Sequence, residues 1–494
     1  MKSYCIAFCV LLSCFARGQT ADSLALSRLA HAIRELQNSS LMRHGTLGVS
    51  ISSGATTEIL IGVNADQSLP PASTLKLVTT AAALEVLGEN FTFETYLEHD
   101  GVLSDGVLKG NLYIRGTGDP SLGSPRFRDR TDSATVFNSW LQAIRNAGIR
   151  AIQGRVFADA GYFDPIGIGD SWEWGDVANA YGAGISGLNW NENACRLYFR
   201  TGSRTGDAAQ LLRVEPALPD TRYLNLVTTG PPGSGDKTLI RPSGHTHMLV
   251  IDGTVPRSKR EYSIRGAIFN PELLLAGFFT EFLISNDIRI GDKAAVWIPS
   301  GIPSGIPSGT APARKTLSIH RSPPLSELCR QTNWWSINLY AEAMLKMTAK
   351  KMTGKTDFKS ATEALISFWV LKGVNVSGML LRDGSGLSGT ALMTPRNVTD
   401  ILNTATRFSS FPRFYESIPV AGESGTVRSK SFGRSLNIRA KSGSLEGTRA
   451  YAGYINTRSG DRISFVINAH RYLPDSSGKV VQELMGLVRL MGEL

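Results

Sequence analysis

Hydrophobic and polar positions change period several times along this chain. Met1-Lys2-Ser3 is followed by an apolar run over 4–15 and a small-residue exit at Ala16-Arg17-Gly18, the layout of a cleaved export signal. Apolar residues then recur at helical spacing over 22–37, and two strand-like stretches, 47–52 and 57–63, flank a Ser-Gly turn. Pro70-Pro71 breaks the chain, and 73–87 reads as an Ala/Leu-rich helix, apolar on most faces and closed by Gly88. From about 91 to 298 short strands alternate with Gly and Pro turns, with helices predicted only over 133–147 and 271–285, the second opened by Asn270-Pro271. A tandem Ile-Pro-Ser-Gly repeat over 298–309 has the composition of an extended linker. Beyond it the pattern predicts a Pro-started helix near Leu325, a helix over 335–351, loops, strands over 450–456 and 462–469, and a last helix over 480–491.

Strands and helices at both ends, separated by a long strand-rich block, predict one α/β domain assembled from both termini. The expected divisions are a signal peptide over 1–18, a first part of that domain over 19–95, one or two inserted domains, read as two, over 96–297, a linker over 298–312, and the second part over 313–494.

Composition narrows the class. The 494 residues are 42% hydrophobic and 19% charged, with a formal net charge of +10, which is globular in character. No Lys/Arg block of nucleic-acid-arm type occurs, so the charge serves solubility and favours an anionic polymer; no nucleic-acid partner is expected. Of the five cysteines, Cys5, Cys9 and Cys14 lie in the leader, leaving Cys195 and Cys329 as one bridge or two buried thiols. Cleavage after Gly18 is the favoured processing, with a lipidated Cys14 as the alternative. Either places the mature protein outside the cytoplasm, in the periplasm and, with lipid, on a membrane. No later apolar run reaches the roughly 18 residues of a membrane span.

Candidate chemistry begins at Ser73-Thr-Leu-Lys76, where a three-residue spacing on a helix puts hydroxyl and amine on one face. A serine hydroxyl needs an adjacent base at neutral pH, and a buried lysine near another cation is pushed toward that task. The pattern recurs at Ser476-Ser-Gly-Lys479, in a polar stretch that reads as a solvated turn. What distinguishes Ser73 is its company. Ser336-Ile-Asn338 opens an apolar-periodic helix, and Lys441-Ser-Gly-Ser444 precedes a strand. Together these form the S-x-x-K, S-x-N and K-[ST]-G signature of penicillin-binding proteins and class A β-lactamases. A second S-x-N, Ser435-Leu-Asn437, lacks the helix.

With Pro71-Ala-Ser-Thr-Leu-Lys76, Gly116-Thr-Gly-Asp-Pro120, Trp172-Glu-Trp-Gly-Asp176, Tyr181-Gly-Ala183, Asn338-Leu-Tyr-Ala-Glu342, Asp383-Gly-Ser-Gly-Leu-Ser388, Gly425-Thr-Val-Arg428 and Lys441-Ser-Gly-Ser-Leu445, the chain resembles the D-alanyl-D-alanine carboxypeptidase/endopeptidase family of low-molecular-mass, class C penicillin-binding proteins. The resemblance spans nearly all the mature sequence, including the long insert between the first two motifs. It implies a penicillin-binding-protein/β-lactamase-like transpeptidase domain, an antiparallel sheet with flanking helices. It also implies that Ser73 acylates on a D-Ala-D-X peptide of peptidoglycan while Lys76 takes its proton. Ser336 and Lys441 would relay a proton to the leaving amine, and Asn338 would hold the substrate amide. The backbone N–H groups of Ser73 and Ser444 would form the oxyanion hole. Ser442 and Ser444, with Gly443 between them, would bind the terminal carboxylate. β-Lactams would be covalent inhibitors, and no cofactor is implied.

Two departures bear on substrate. Ser442 stands where the third motif often has Thr, which keeps the hydroxyl. Gly389-Thr390 stands where well-known relatives place an arginine for the side-chain carboxylate of diaminopimelate. Asp176, matching the residue that binds the diaminopimelate ammonium, and Tyr181, matching an aromatic wall of that pocket, are present. Three readings stay open: a D,D-carboxypeptidase or endopeptidase, a β-lactamase or esterase on the same fold, and a non-catalytic wall-binding protein. Among the seven histidines only His245 and His247 are close together, with no partner at metal spacing, so no metal site is expected.

Overall fold

The computed structural model describes residues 24–54, 56–244, 248–297, 313–428, 437–457 and 460–494. The leader with Cys14, His245 and His247, the Ile-Pro-Ser-Gly repeat, and Ser435 of the second S-x-N lie outside the described residues. The chain divides into two compact units, one drawn from Met1–Glu85, Cys329–Ser336 and Glu363–Leu494, the other from Val86–Leu328 and Ile337–Thr362.

The first unit is built on a five-stranded sheet in the order Asn437–Leu445, Thr448–Asn456, Arg462–His470, Thr46–Ser53, Ile59–Val63, antiparallel at every pairing. The central strands are buried along nearly their whole length rather than at alternate positions, because both faces are covered. On one face the helix over 24–38 lays down Leu29, Ile33 and Leu36, and the closing helix Ser477–Met491 lays down Val480, Leu484, Leu487, Val488 and Met491, each an i, i+3/i+4 stripe. On the other face the helix Pro395–Ala405 is fixed by buried polar bonds: Ser50 Oγ with Thr399 Oγ1 at 2.8 Å, Asn403 Nδ2 to Ser52 Oγ at 2.8 Å and Ser464 Oγ to Asn403 Oδ1 at 2.9 Å. Paired buried polar groups of this kind set register as well as adding stability.

Among the described residues the second unit contains four sheets and two separate apolar clusters. One gathers Trp140, Ile144, Leu275, Phe279 and Leu283 of the helices Ser133–Asn146 and Pro271–Ser285 against Leu97, Leu112 and Ile114. The other gathers Leu197, Phe199, Ile240, Ile251 and Ile264. Cys195 and Cys329 are both buried and are not joined in a disulfide.

Several local expectations are corrected. The helix expected over 335–351 starts at Asn338: the preceding helix Leu325–Trp335 takes in Trp335, and the next runs Asn338–Thr353, with Ser336 between them in a left-handed backbone, φ 59°. The expected loops after it include three helices, Phe358–Leu371, Pro395–Ala405 and Phe411–Ser417. Lys441 lies within a strand rather than before one, since pairing with Thr448–Asn456 extends through the motif. The Ser476 copy of S-x-x-K does not form a free turn; Lys479 falls in the first turn of the closing helix, where its side chain is exposed.

Candidate active site

Ser73 sits in a single 3-10 turn, Ala72–Thr74, that runs into the helix Leu75–Leu87. Ala72 before it is left-handed, φ 48°, a conformation that persists at a non-glycine only where the surroundings enforce it. The Thr74 hydroxyl donates to Pro71 O at 2.6 Å and fastens the turn. One turn on, Lys76 is fully buried, and its Nζ lies 2.9 Å from Ser73 Oγ and 2.7 Å from Ser385 O.

Ser385 arrives on the Asp383-Gly-Ser-Gly-Leu-Ser388 loop. The buried Asp383 carboxylate folds this loop by accepting from Gly386 N at 2.7 Å and Ser388 N at 2.8 Å. Thr79 Oγ1 donates to Gly384 O at 2.7 Å and ties the loop to the Ser73 helix. Gly386 has φ 76°, and a Cβ there would fall 1.9 Å from Ala72 O. Only glycine lets the loop lie this close to the turn.

Lys441 is the second buried amine. It projects from the strand Asn437–Leu445 with no side-chain exposure, and its Nζ lies 3.0 Å from Ser336 Oγ and 2.7 Å from Ser442 O. Burial, reinforced by the charge of Lys76, pushes its pKa well below the ordinary lysine value. The next residues meet the Ser73 turn directly: a Cβ on Gly443 would lie 3.0 Å from Pro71 O and 3.1 Å from both Ala72 Cβ and Ser73 N. Ser442 Oγ is 2.8 Å from Thr426 Oγ1, and Ser444 is exposed. Gly389 and Thr390 are exposed, and the Thr390 hydroxyl sits 3.1 Å from Ser388 Oγ.

The structure thus brings Ser73, Lys76, Ser336, Lys441, Ser442 and Gly443 together in the first unit as two serine–lysine pairs. An amine within 3 Å of a hydroxyl is in range to exchange a proton with it. Asn338, Asp176 and Tyr181 form a second group in the other unit. Asn338 Nδ2 donates to Tyr181 O at 2.7 Å, and the Tyr181 phenol donates to Asp176 Oδ1 at 2.9 Å. Burial, aided for Tyr181 by the neighbouring carboxylate, raises the pKa of both Asp176 and Tyr181. Among the described residues no group of three His, Cys, Asp or Glu is placed to hold a metal ion.

Two participants were not singled out from sequence: Ser385, through its carbonyl, and Thr426. Both lie in stretches noted for resemblance, Asp383–Ser388 and Gly425–Arg428. The Asp-Gly-Ser-Gly turn chemistry was the available signal for the first. For Thr426 there was none, because its partner lies on another element.

The family model described as D-Ala-D-Ala carboxypeptidase 3 (S13) family matches residues 29–487. The chain is 28% identical over 467 residues to a D-alanyl-D-alanine carboxypeptidase of an Actinomadura species, covering 91% of this chain and 82% of that protein. The crystal structure of penicillin binding protein 4 (dacB) from Haemophilus influenzae has the same fold, with a TM-score of 0.75 at 23% identity over 94% of this chain and 98% of that one. The same Haemophilus protein complexed with a β-lactam gives a TM-score of 0.70 at 21% identity, with the same coverage.

Proposed function

We propose that this chain, which belongs to the D-Ala-D-Ala carboxypeptidase 3 (S13) family, cleaves the D-alanyl-D-alanine end of peptidoglycan stem peptides through an acyl-enzyme on Ser73. Membership makes it a serine-type D-Ala-D-Ala carboxypeptidase; the proposal concerns which residues act, and on what. The observation that carries it is the double pairing, Lys76 Nζ 2.9 Å from Ser73 Oγ and Lys441 Nζ 3.0 Å from Ser336 Oγ.

In this reading Lys76 accepts the Ser73 proton as Oγ bonds to the carbonyl carbon of the penultimate D-alanine. The oxyanion is met by the backbone N–H groups of Ser73 and Ser444. Collapse breaks the C–N bond, and the proton that Lys76 took from Ser73 is passed on by way of Ser336 and Lys441 to the departing amine. Water then hydrolyses the ester, releasing the shortened peptide and restoring the serine. Ser442 and Ser444 hold the terminal carboxylate beside Lys441, and Asn338 holds the substrate amide. Asp176 and Tyr181 read the stem-peptide ammonium. With glycine at 389, the side-chain carboxylate is read weakly or by another cation. β-Lactams acylate the same serine. The leader directs this activity outside the cytoplasm.

Fluorescent-penicillin labelling of the purified protein, with Ser73→Ala as control, tests the nucleophile: persistent labelling of the variant refutes it. Turnover of a chromogenic cephalosporin in place of stable acylation would make the protein a β-lactamase. Digestion of cross-linked and uncross-linked muropeptides separates endopeptidase from carboxypeptidase action. Strong preference for free over amidated diaminopimelate would contradict the reading of Gly389.

A further inference from the structure

The helix Asn338–Thr353 begins without help from its own sequence. Ile337 stands at the N-cap with no side-chain hydrogen bond, where a Ser, Thr or Asp is worth about 1 kcal/mol. Long-range bonds from Asn338 and Tyr340 hold the first turn instead. Asn338 Nδ2 donates to Tyr181 O at 2.7 Å, and the Tyr340 hydroxyl donates to Glu192 Oε1 at 3.2 Å.

The backbone around Glu192 is unusual. Asn191, Glu192 and Asn193 have φ of 53°, 57° and 47°, three successive left-handed residues without a glycine, each costing on the order of 1 kcal/mol or more. Such a run survives only if the surroundings enforce it. Here Asn193 Oδ1 accepts from Trp190 N at 3.0 Å, Asn193 Nδ2 donates to Gly184 O at 2.8 Å, and Ile268 N donates to Asn193 O at 2.8 Å.

The outcome is that the Glu192 carboxylate is turned inward, 5% exposed. Its Oε1 also accepts from Ser124 Oγ at 2.8 Å and Arg126 Nε at 2.6 Å, and its Oε2 accepts from Arg265 Nη2 at 2.9 Å. Burial alone would push this carboxyl up, but the Arg126 and Arg265 guanidiniums overcome that and hold it below its ordinary value. Burial, with the Glu192 charge beside it, keeps the Tyr340 phenol protonated. A charged acceptor thus faces an obligate donor. The two arginines and Ser124 already satisfy the carboxylate, so the bond to Tyr340 is not needed to stabilise Glu192. What it adds is a fixed point in the turn that carries Asn338.

We propose that Glu192, acting through the Tyr340 hydroxyl, is a positioning residue for Asn338. This rests on the reading of Asn338 as the group that holds the substrate amide. Glu192 and Tyr340 touch no substrate; they fix the rotation and height of the helix start from which the Asn338 carboxamide projects. A misplacement of about 1 Å in such a group can cost up to about a hundredfold in rate.

The test is a double-mutant cycle on the full chain, reading the second-order rate of acylation by fluorescent penicillin and the melting temperature of wild type, Tyr340→Phe, Asn338→Ala and the double variant. Tyr340→Phe removes one oxygen and should stay folded. It is expected to slow acylation about tenfold in the wild-type background and less than about twofold in the Asn338→Ala background, since coupled residues are non-additive where independent ones add. Equal slowing in both backgrounds, or wild-type acylation by Tyr340→Phe, overturns the proposal. Wild-type acylation by Asn338→Ala would instead overturn the assignment of Asn338, and the proposal with it.

Discussion

The Nζ of Lys441 lies 3.0 Å from the Oγ of Ser336, 105 positions earlier in the chain, and its amine is wholly buried. Its pKa is depressed first by burial and then by Lys76, so the neutral form is favoured. In the unfolded chain this group binds a proton up to about pH 10.4. The unfolded state therefore holds more protons than the native state between the depressed pKa and that value, and stability falls as pH falls through this window. Lys441→Met keeps the volume and removes the amine. Its stability should equal or exceed that of wild type below pH 10 and lose this part of the pH dependence, while peptide hydrolysis falls by roughly a hundredfold or more. Denaturant unfolding across pH, paired with turnover, checks both halves.

Gly443 touches the Ser73 turn. Its replacement by alanine would place a methyl 3.0 Å from Pro71 O and 3.1 Å from Ser73 N, tighter than ordinary contact, so the strand and the turn must separate by a few tenths of an ångström. Gly443→Ala should slow penicillin acylation about tenfold or more through that displacement and shift the melting temperature only slightly. Acylation at the wild-type rate would show that the contact does not set the geometry of Ser73.

The hydroxyl pair Thr426–Ser442, 2.8 Å apart, orients the serine assigned to the terminal carboxylate. Thr426→Val keeps the shape and removes the partner, a loss of about 1 kcal/mol, or roughly fivefold. KM should rise by that factor for a peptide with a free C-terminus and stay unchanged for its C-terminal amide.

Asp119 is buried, with Oδ1 accepting from Ser121 N at 2.8 Å and Ser121 Oγ at 2.6 Å, and Oδ2 finding no hydrogen-bond partner among the described residues. Burial raises its pKa to about 6 despite those two bonds. The native state therefore binds more protons than the unfolded state from about pH 4 to 6. Stability is present at the acid end and is lost as pH rises through that window, on the order of 3 kcal/mol in all. Asp119→Asn keeps the Ser121 bonds and should flatten this part of the profile, measured as the difference in unfolding free energy between the two proteins at pH 4 and pH 7.

Local chemistry announced much of this molecule. The helix over 24–38, the hairpin strands, the helix after Pro70-Pro71 and the closing helix follow from short-range apolar periodicity, and the structure holds each within a few residues of its expected place. The stretch Pro395–Ala405 was expected as loop and is a helix, although its start signal stood in the sequence. Thr394 and Asn397 cap each other reciprocally, at 3.0 and 2.9 Å, with proline in the first turn. The helix boundary near Ser336 was legible, but the left-handed backbone of Ser336 was not, because no local rule puts a serine at φ 59°.

The Ser73–Lys76 pair is a property of the sequence, since a three-residue step along one turn brings the two side chains to one face whatever surrounds them. Everything that acts on that pair from a distance belongs to the tertiary structure. Folding brings Lys441 to Ser336, lays Gly443 against the turn, delivers the Ser385 carbonyl to Lys76, and turns Glu192 inward toward Tyr340. The physical reason is range: periodicity and caps act over about one helical turn, whereas desolvation and charge coupling depend on which groups the closed fold removes from water together.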